Sequence, residues 1–398
     1  MSRNEHNEHN IGVPRKGTII MIAILVILVN LLFVSIGDYP EDNKIPVAVL
    51  LPFSGGMEEF GIEYARGVEI AVEELNGHVL PGGRTYVVDY FDTNGDTLSL
   101  LNTFLEIYNA GYPVVIGPMT STETLAVAKY AEVLGVVLLS PGATSDELTA
   151  YGDYVFRIVS SDRYLGIGLG KIIGGNDEFE NIMIIHTDDS YGVGLAELFI
   201  EELGKYHKEP KAVIEIPLET YAEDFDIDAT VKYMQKINPD AVFAITPNSA
   251  SFVELMRKTD SAGLSPQWFV TDNSASSEVA HSGKFAEGVI AAVPSKKGSD
   301  VTYAKRYADK FGAPMKIQDS IYGYDAMMMV AESINSRGYS AEQIRDGLRD
   351  IRYVGLSGAI VFDEKGDRYP VYDVMQVRNG EWVVLPWSEV MSFEAGHH

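Results

Sequence analysis

The sequence predicts an α/β protein whose parallel β-sheets carry helices on both faces. Three observations support this expectation. Downstream of Val47, short runs that are apolar throughout alternate with longer segments of helical periodicity, and strands without a polar side need a helix layer on each face. Peptides rich in glycine and hydroxyl residues sit where some of these runs end and helices begin, the position at which open α/β sheets bind ligands. Toward the C-terminus the runs crowd together with turn residues between them, which predicts hairpins.

The first element is residues 18–36, apolar apart from Asn30. As a helix this segment spans about 28 Å, one hydrocarbon core. Arg3, Arg15 and Lys16 precede it, and Asp38, Glu41 and Asp42 follow. That asymmetry puts residues 1–17 in the cytoplasm and everything after residue 37 outside the cell membrane. Ser35-Ile36-Gly37 has the form of a signal-peptidase site, so a cleaved and secreted chain is the competing expectation; the length of the apolar run favours an uncleaved transmembrane anchor. Residues 37–45 read as a polar tether.

The strands are expected at 47–51, 86–91, 113–116, 136–140, 181–186, 212–217, 241–246, 267–271 and 288–293. Helices are expected at 60–75, 122–134, 192–206, 227–237, 249–262, 301–311, 320–336 and 341–350. In the first helix Ile62, Ala65, Val68, Ala71, Val72 and Leu75 share a face from which Glu63, Glu69, Glu73 and Glu74 are excluded. Asn76-Gly77 ends it. The tail holds strand patterns at 357–363, 372–378 and 381–385, joined by turns in which Gly366 and Gly380 can take positive φ. No Pro- or Ser-rich linker divides the chain, so two lobes would be joined by strand crossovers.

With 398 residues the chain has room for two domains. A net charge of −26 argues against nucleic acid or an anionic membrane surface as partner. The absence of cysteine removes disulfides, thiolate metal sites, a Cys nucleophile and a lipid-modified Cys. His78, His186, His207 and His281 are scattered, and no HExxH, GxSxG or SxxK pattern is present. Neither an enzyme nor a cofactor is expected.

Two junctions carry the site expectation: Ile116-Gly117-Pro118-Met119-Thr120-Ser121 and Leu139-Ser140-Pro141-Gly142-Ala143-Thr144. Unpaired N–H groups and a positive dipole end meet at a helix start, so two such starts make a socket for a carboxylate. Ser121 falls at the expected N-cap, where a purely structural capping bond is the plainer role; the same holds for Thr144. Asp272 ends the run 267–271 and is either a site acid or a helix cap. Tyr191-Gly192-Val193-Gly194 imitates a dinucleotide fingerprint but has Glu197 in place of the third glycine. The glycines of 166–170 read as close helix packing, and the acidic loop starting at Asp92 as a turn, since its glycine and acids miss calcium-loop spacing.

Leu51-Pro52-Phe53-Ser54-Gly55, Gly117-Pro118, Ser140-Pro141-Gly142-Ala143-Thr144, residues 188–196 and residues 358–367 occur in the order seen in the leucine/isoleucine/valine-binding proteins, which the chain resembles from about Ile45 to Pro386. Those are extracytoplasmic receptors of branched-chain amino acid ABC importers. The resemblance implies a type I periplasmic-binding-protein fold: two doubly wound parallel-sheet lobes joined by three crossovers, here near 157–160, 293–296 and 352–355. Lobe 1 would be 46–158 and 295–352, lobe 2 159–294 and 353–388, with a tail at 389–398. It also implies roles. Ser121 and Thr144 would hold the ligand α-carboxylate, with Ala143 in the same peptide. The Gly142 carbonyl and Asp272 would receive the α-ammonium, Tyr191 would close from lobe 2, and Phe60 would contact the side chain. The implied ligand is a branched-chain or other neutral amino acid, and the implied partners are an ABC permease and ATPase. A membrane-tethered sensory receptor for amino acids, amides or small carboxylic acids is the alternative. The chain departs from the pattern in having Asp272 where a glutamate is usual and Pro247 where an aromatic would align.

Overall fold

A computed structural model describes residues 43–78, 83–94, 97–217, 225–246, 249–294, 301–315, 319–369 and 372–386. The expected anchor at 18–36, the tail at 389–398, Pro247 and half of the second expected crossover lie outside these residues. No helix among those described is long and apolar enough to cross a membrane.

The first lobe begins with β1 (Lys44–Leu51), α1 (Glu58–Asn76), β2 (Thr85–Asp92), α2 (Thr97–Asn109), β3 (Val114–Ile116), α3 (Ser121–Leu134), β4 (Val137–Ser140) and β5 (Val155–Arg157). Its sheet has the order β2-β1-β3-β4-β5 and every pairing in it is parallel. The second lobe runs through α4 (Asp162–Gly174), β6 (Ile182–Thr187), α5 (Ser190–Lys205), β7 (Ala212–Ile216), α6 (Ile227–Ile237), β8 (Ala241–Ile245), α7 (Ser249–Ser261), β9 (Gln267–Thr271), α8 (Ser277–Ala280) and β10 (Ile290–Pro294). The chain then returns to lobe 1 with α9 (Val301–Phe311), α10 (Ser320–Arg337) and α11 (Ala341–Asp350), followed by the ribbon β11 (Tyr353–Gly355) and β12 (Gly358–Ile360). Finally β13 (Tyr372–Arg378) and β14 (Glu381–Val384) add an antiparallel edge to the second sheet, order β14-β13-β10-β9-β8-β6-β7. This is the expected α/β architecture of two doubly wound lobes.

Each sheet separates two apolar layers, as all-apolar strands require. Val47, Val49 and Leu51 face α1 and α10, while Ala48 and Leu50 face α2 and α3. Met183 and Ile185 divide from Ile182 and Ile184 in the same way in lobe 2. The backbones of α1 and α10 nearly touch: a Cβ on Gly67 would lie 1.8 Å from the Ser320 carbonyl oxygen, and one on Gly323 2.0 Å from that of Tyr64. The α4 glycines pack as anticipated; a Cβ on Gly170 would meet Glu202 Cβ at 2.6 Å.

The lobe boundary needs correction. Residues 353–362 fall in the expected lobe 2, but Tyr353, Leu356, Ile360 and Phe362 pack into the core of lobe 1. The ribbon is held there by Asp325, whose carboxylate accepts from the Leu356 and Ser357 N–H groups at 2.8 Å each. The third passage between lobes therefore comes after Phe362, not at 352–355. There it runs beside the first: Arg368 Nη1 donates to the Ile158 carbonyl at 2.8 Å, and Ser160 and Arg368 form a parallel bridge.

Candidate functional site

The carboxyl ends of β3, β4, β6 and β9 face one another across the two lobes and enclose a cavity of about 120 Å³. Phe60, Ser121, Gly142, Thr144, Tyr191 and Asp272, all expected from the sequence, line it together. Ala143 does not: its side chain is fully buried in the lobe-1 core, and its N–H donates to Ser140 Oγ at 3.0 Å. Ala143 thus anchors the loop from behind.

Ser121 is not the N-cap. Thr120 holds that position, with a capping box to Glu123, which relieves Ser121 of capping. Its Oγ instead accepts from the N–H groups of Thr144 (3.2 Å) and Ser145 (3.0 Å), stitching the two junctions together. A hydroxyl with both lone pairs engaged has only its O–H left to give. The Ser121 and Thr122 N–H groups, as first-turn donors, have no intrahelical acceptor. The second junction leads not into an α-helix but into a 3-10 turn over Asp146–Ala150, capped by Ser145. Gly142 is cramped; a Cβ there would lie 2.8 Å from the Tyr64 hydroxyl.

The loop carrying Thr144 is held from below by Arg157, which is 2% exposed. Its Nη1 donates to the carbonyls of Thr144 (2.9 Å) and Ser145 (2.7 Å), Nη2 to Thr149 Oγ1 (2.8 Å) and Nε to Asp367 Oδ1 (2.6 Å). Asp367 belongs to the turn before the third passage, so one guanidinium joins the binding loop to the hinge. Behind Thr144 lies Asp162, the first residue of α4. Burial pushes its carboxyl up to about 8, with the Asp272 and Asp146 charges acting in the same direction against the Thr144 hydroxyl and Arg157.

From lobe 2, Asp272 stands immediately after β9 and Tyr191 in the first turn of α5. Asp189 caps that helix by accepting from the Gly192 N–H at 3.1 Å. Gly192 is a packing glycine, not a nucleotide loop: a Cβ would lie 2.3 Å from the Thr187 carbonyl oxygen. The Tyr191 hydroxyl is buried without a hydrogen bond, and burial first, then Asp272, holds it well above the usual phenol range. The lobes touch beside the cavity, where the Ser190 N–H donates to Thr122 Oγ1 at 3.3 Å.

Sequence reasoning missed the rest of the wall. Met57 and Tyr64 come from the region of α1, Met119 and Thr120 from the first junction, and Asp319 and Tyr322 from the start of α10. Asp319 and Tyr322 lie almost two hundred residues beyond the junctions, and no local pattern sets them apart from ordinary helix-start residues. Among the described residues lining the cavity, Asp189, Asp272 and Asp319 are acidic, and no Lys, Arg or His is present. The arrangement can hold a compact zwitterion, its carboxylate on hydroxyls and helix-start N–H groups and its cation on a carboxylate.

Two lobes of this topology with a cavity between them define a two-lobed binding protein of the type I periplasmic class. The chain belongs to the receptor family ligand binding region family, whose pattern it matches over residues 65–380. It is 24% identical over 353 residues to the leucine-, isoleucine-, valine-, threonine- and alanine-binding protein of Pseudomonas aeruginosa, covering 87% of this chain and 90% of that one. It is 27% identical over 335 residues to the Leu/Ile/Val-binding protein of Escherichia coli K12, covering 82% and 88%. Among solved structures, the leucine binding protein LivK of Thermotoga maritima superposes with a TM-score of 0.72 at 23% identity, covering 86% of this chain and 98% of that one. A Rhodopseudomonas palustris solute binding protein in complex with benzoate superposes at 0.73 and 18% identity, covering 86% and 95%. These relatives are named as solute-binding proteins, not enzymes.

Proposed function

We propose that this protein, held on the outer face of the cell membrane by residues 18–36, captures an α-amino acid between its lobes and delivers it to an ABC importer made of permease and ATPase subunits. The observation that carries the reading is that donors for an anion on lobe 1 face an acid on lobe 2 across the cavity. Lobe 1 offers Ser121, Thr144 and a helix start; lobe 2 offers Asp272 and the Tyr191 hydroxyl. A zwitterion bridges the two halves, so both sets of contacts are complete only when the lobes approach. Ligand would then shift an open–closed equilibrium by its differential affinity. Charge-assisted hydrogen bonds of this kind contribute about 1.5–3 kcal/mol each. A carboxylic acid without an ammonium, such as benzoate, would meet three carboxylates and, among the described lining residues, no cationic side chain, which favours the amino acid. Met57, Phe60 and Met119 supply an apolar wall suited to the methylenes of a side chain.

Isothermal titration of the full-length chain in detergent against the twenty amino acids, simple amides and aromatic acids tests the reading. Heat is expected with amino acids only, and Asp272→Ala should weaken the best ligand at least about tenfold. Binding of benzoate but of no amino acid, or an Asp272→Ala variant with unaltered affinity, would contradict it. Co-purification with a permease distinguishes import from sensing, where a kinase or chemoreceptor would come down instead.

A further inference from the structure

Thr144 lines the cavity with its back to a buried acid. Asp162 is 2% exposed, and its N–H donates to the Thr144 carbonyl at 2.8 Å. Its carboxyl hydrogen-bonds the Thr144 hydroxyl, while its Oδ2 is buried with no partner among the described residues. A first-turn acid gains from the free N–H groups of a helix start. In α4, however, the capping bond belongs to Ser161, whose Oγ accepts from the Arg163 N–H at 3.3 Å. The Arg157 guanidinium is committed to Asp367, Thr149 and the two loop carbonyls. A carboxylate at this place would be a buried charge with one bare oxygen and no bonded cation, so burial favours the neutral carboxyl.

A hydroxyl has one proton to give and two lone pairs. Beside an ionised Asp162, the Thr144 O–H donates backward and turns only lone pairs to the cavity, where they repel a carboxylate. Beside a protonated Asp162, the same oxygen accepts from the carboxyl O–H, and its own proton is free for the ligand. We propose that Asp162 is a positioning residue of the carboxylate half of the site: its proton aims the Thr144 O–H at the ligand, so that capturing an amino acid and holding that proton go together. The proposal rests on the amino-acid reading above and deepens its carboxylate half. The groups that act on Asp162 are Arg157 on β5, Asp146 in the 3-10 turn, Asp272 after β9, Tyr191 on α5 and Tyr372 on β13. Against its own burial, Arg163 holds Asp146 below the usual carboxylate range. Burial holds both tyrosines well above the phenol range. A variant at Asp162 itself separates its proton from any change at Asp272.

Calorimetric titration across pH tests this. The twenty amino acids are screened at pH 7 with the full-length chain in detergent. The tightest is then titrated at pH 7 and pH 9 against the parent, Asp162→Asn and Thr144→Val, with thermal unfolding to check that each is folded. With the carboxyl titrating at about 8, the parent is expected to lose about tenfold in affinity between the two pH values. An Asn amide can donate to the Thr144 oxygen as the carboxyl O–H does, and it cannot ionise. Asp162→Asn should therefore lose most of that fall and bind more tightly than the parent at pH 9. Thr144→Val should bind more weakly at pH 7 and fall less steeply. Heats at pH 8.5 in two buffers of different ionisation enthalpy should show more proton uptake by the parent than by Asp162→Asn, whose remaining uptake reports the ligand's own ammonium. Equal falls or equal uptake in parent and Asp162→Asn would overturn the proposal and leave the amino-acid reading standing. If Asp162→Asn does not fold, Thr144→Val decides, and a fall as steep as the parent's overturns the proposal. No heat with any amino acid overturns both.

Discussion

Asp162 is a carboxyl whose proton is set by its surroundings. Burial holds it up to about 8, so between the ordinary Asp range and that value the native state keeps a proton the unfolded chain has lost. Stability contributed by that proton is complete below the unfolded value and is lost as pH rises toward 8. Asp162→Asn should therefore be more stable than the parent at pH 8, with the gap closing toward pH 4. Thermal melts at the two pH values read it, and an equal gap at both would contradict the assignment. Gly142→Ala places a methyl group 2.8 Å from the Tyr64 hydroxyl and 3.0 Å from the Met119 carbonyl oxygen. It should weaken amino-acid binding about tenfold or more in calorimetry, since the ring that yields is part of the cavity wall. At this scale the sequence showed what lies next to an apolar run. Ser121, Thr144 and Asp272 follow strands and were legible. Asp162, Asp319 and Tyr322 derive their surroundings from distant packing and were not. Ser121 was seen in the right place but given the capping duty that belongs to Thr120.

The elements with long, regular patterns were legible within a residue or two: α1, α6, α10 and α11 all carry continuous faces. The missed strands β5 and β11 are three residues long, too short to show a period, and β11 falls where the family resemblance implied a crossover. Element packing makes its own prediction. Gly67 and Gly323 let α1 and α10 touch, and these two helices also carry Phe60, Tyr64 and Tyr322 into the cavity. Gly323→Ala should cost about 2–3 kcal/mol in denaturant unfolding through overpacking and should weaken binding at the same time. A variant that loses stability but binds as before would show that the helix pair does not set the wall.

At the scale of the whole molecule, closure is the expected motion. A ligand at a hundred times its dissociation constant stabilises the native state by about 2.7 kcal/mol, which differential scanning calorimetry can read. Small-angle scattering should show a smaller radius of gyration with ligand than without. An unchanged radius would mean that the lobes, already joined from Ser190 to Thr122, rest closed without ligand. Arg157 ties the loop of Thr144 to the turn containing Asp367, so one side chain joins the cavity wall to the last passage between the lobes. The two-lobed plan was legible from the alternation and from motif order. The extent of lobe 1 was not, because Asp325 captures a ribbon that looks on its face like the start of the next lobe.

In the proposed binding mode the ligand carboxylate meets backbone N–H groups at the start of α3, and every residue but proline carries one. No ordinary substitution deletes them. The far wall, by contrast, is made of side chains that a single codon can exchange. On that binding mode, a lineage of such proteins could drift from one ligand to another through positions such as Phe60 and Tyr322 without losing the contacts to the carboxylate.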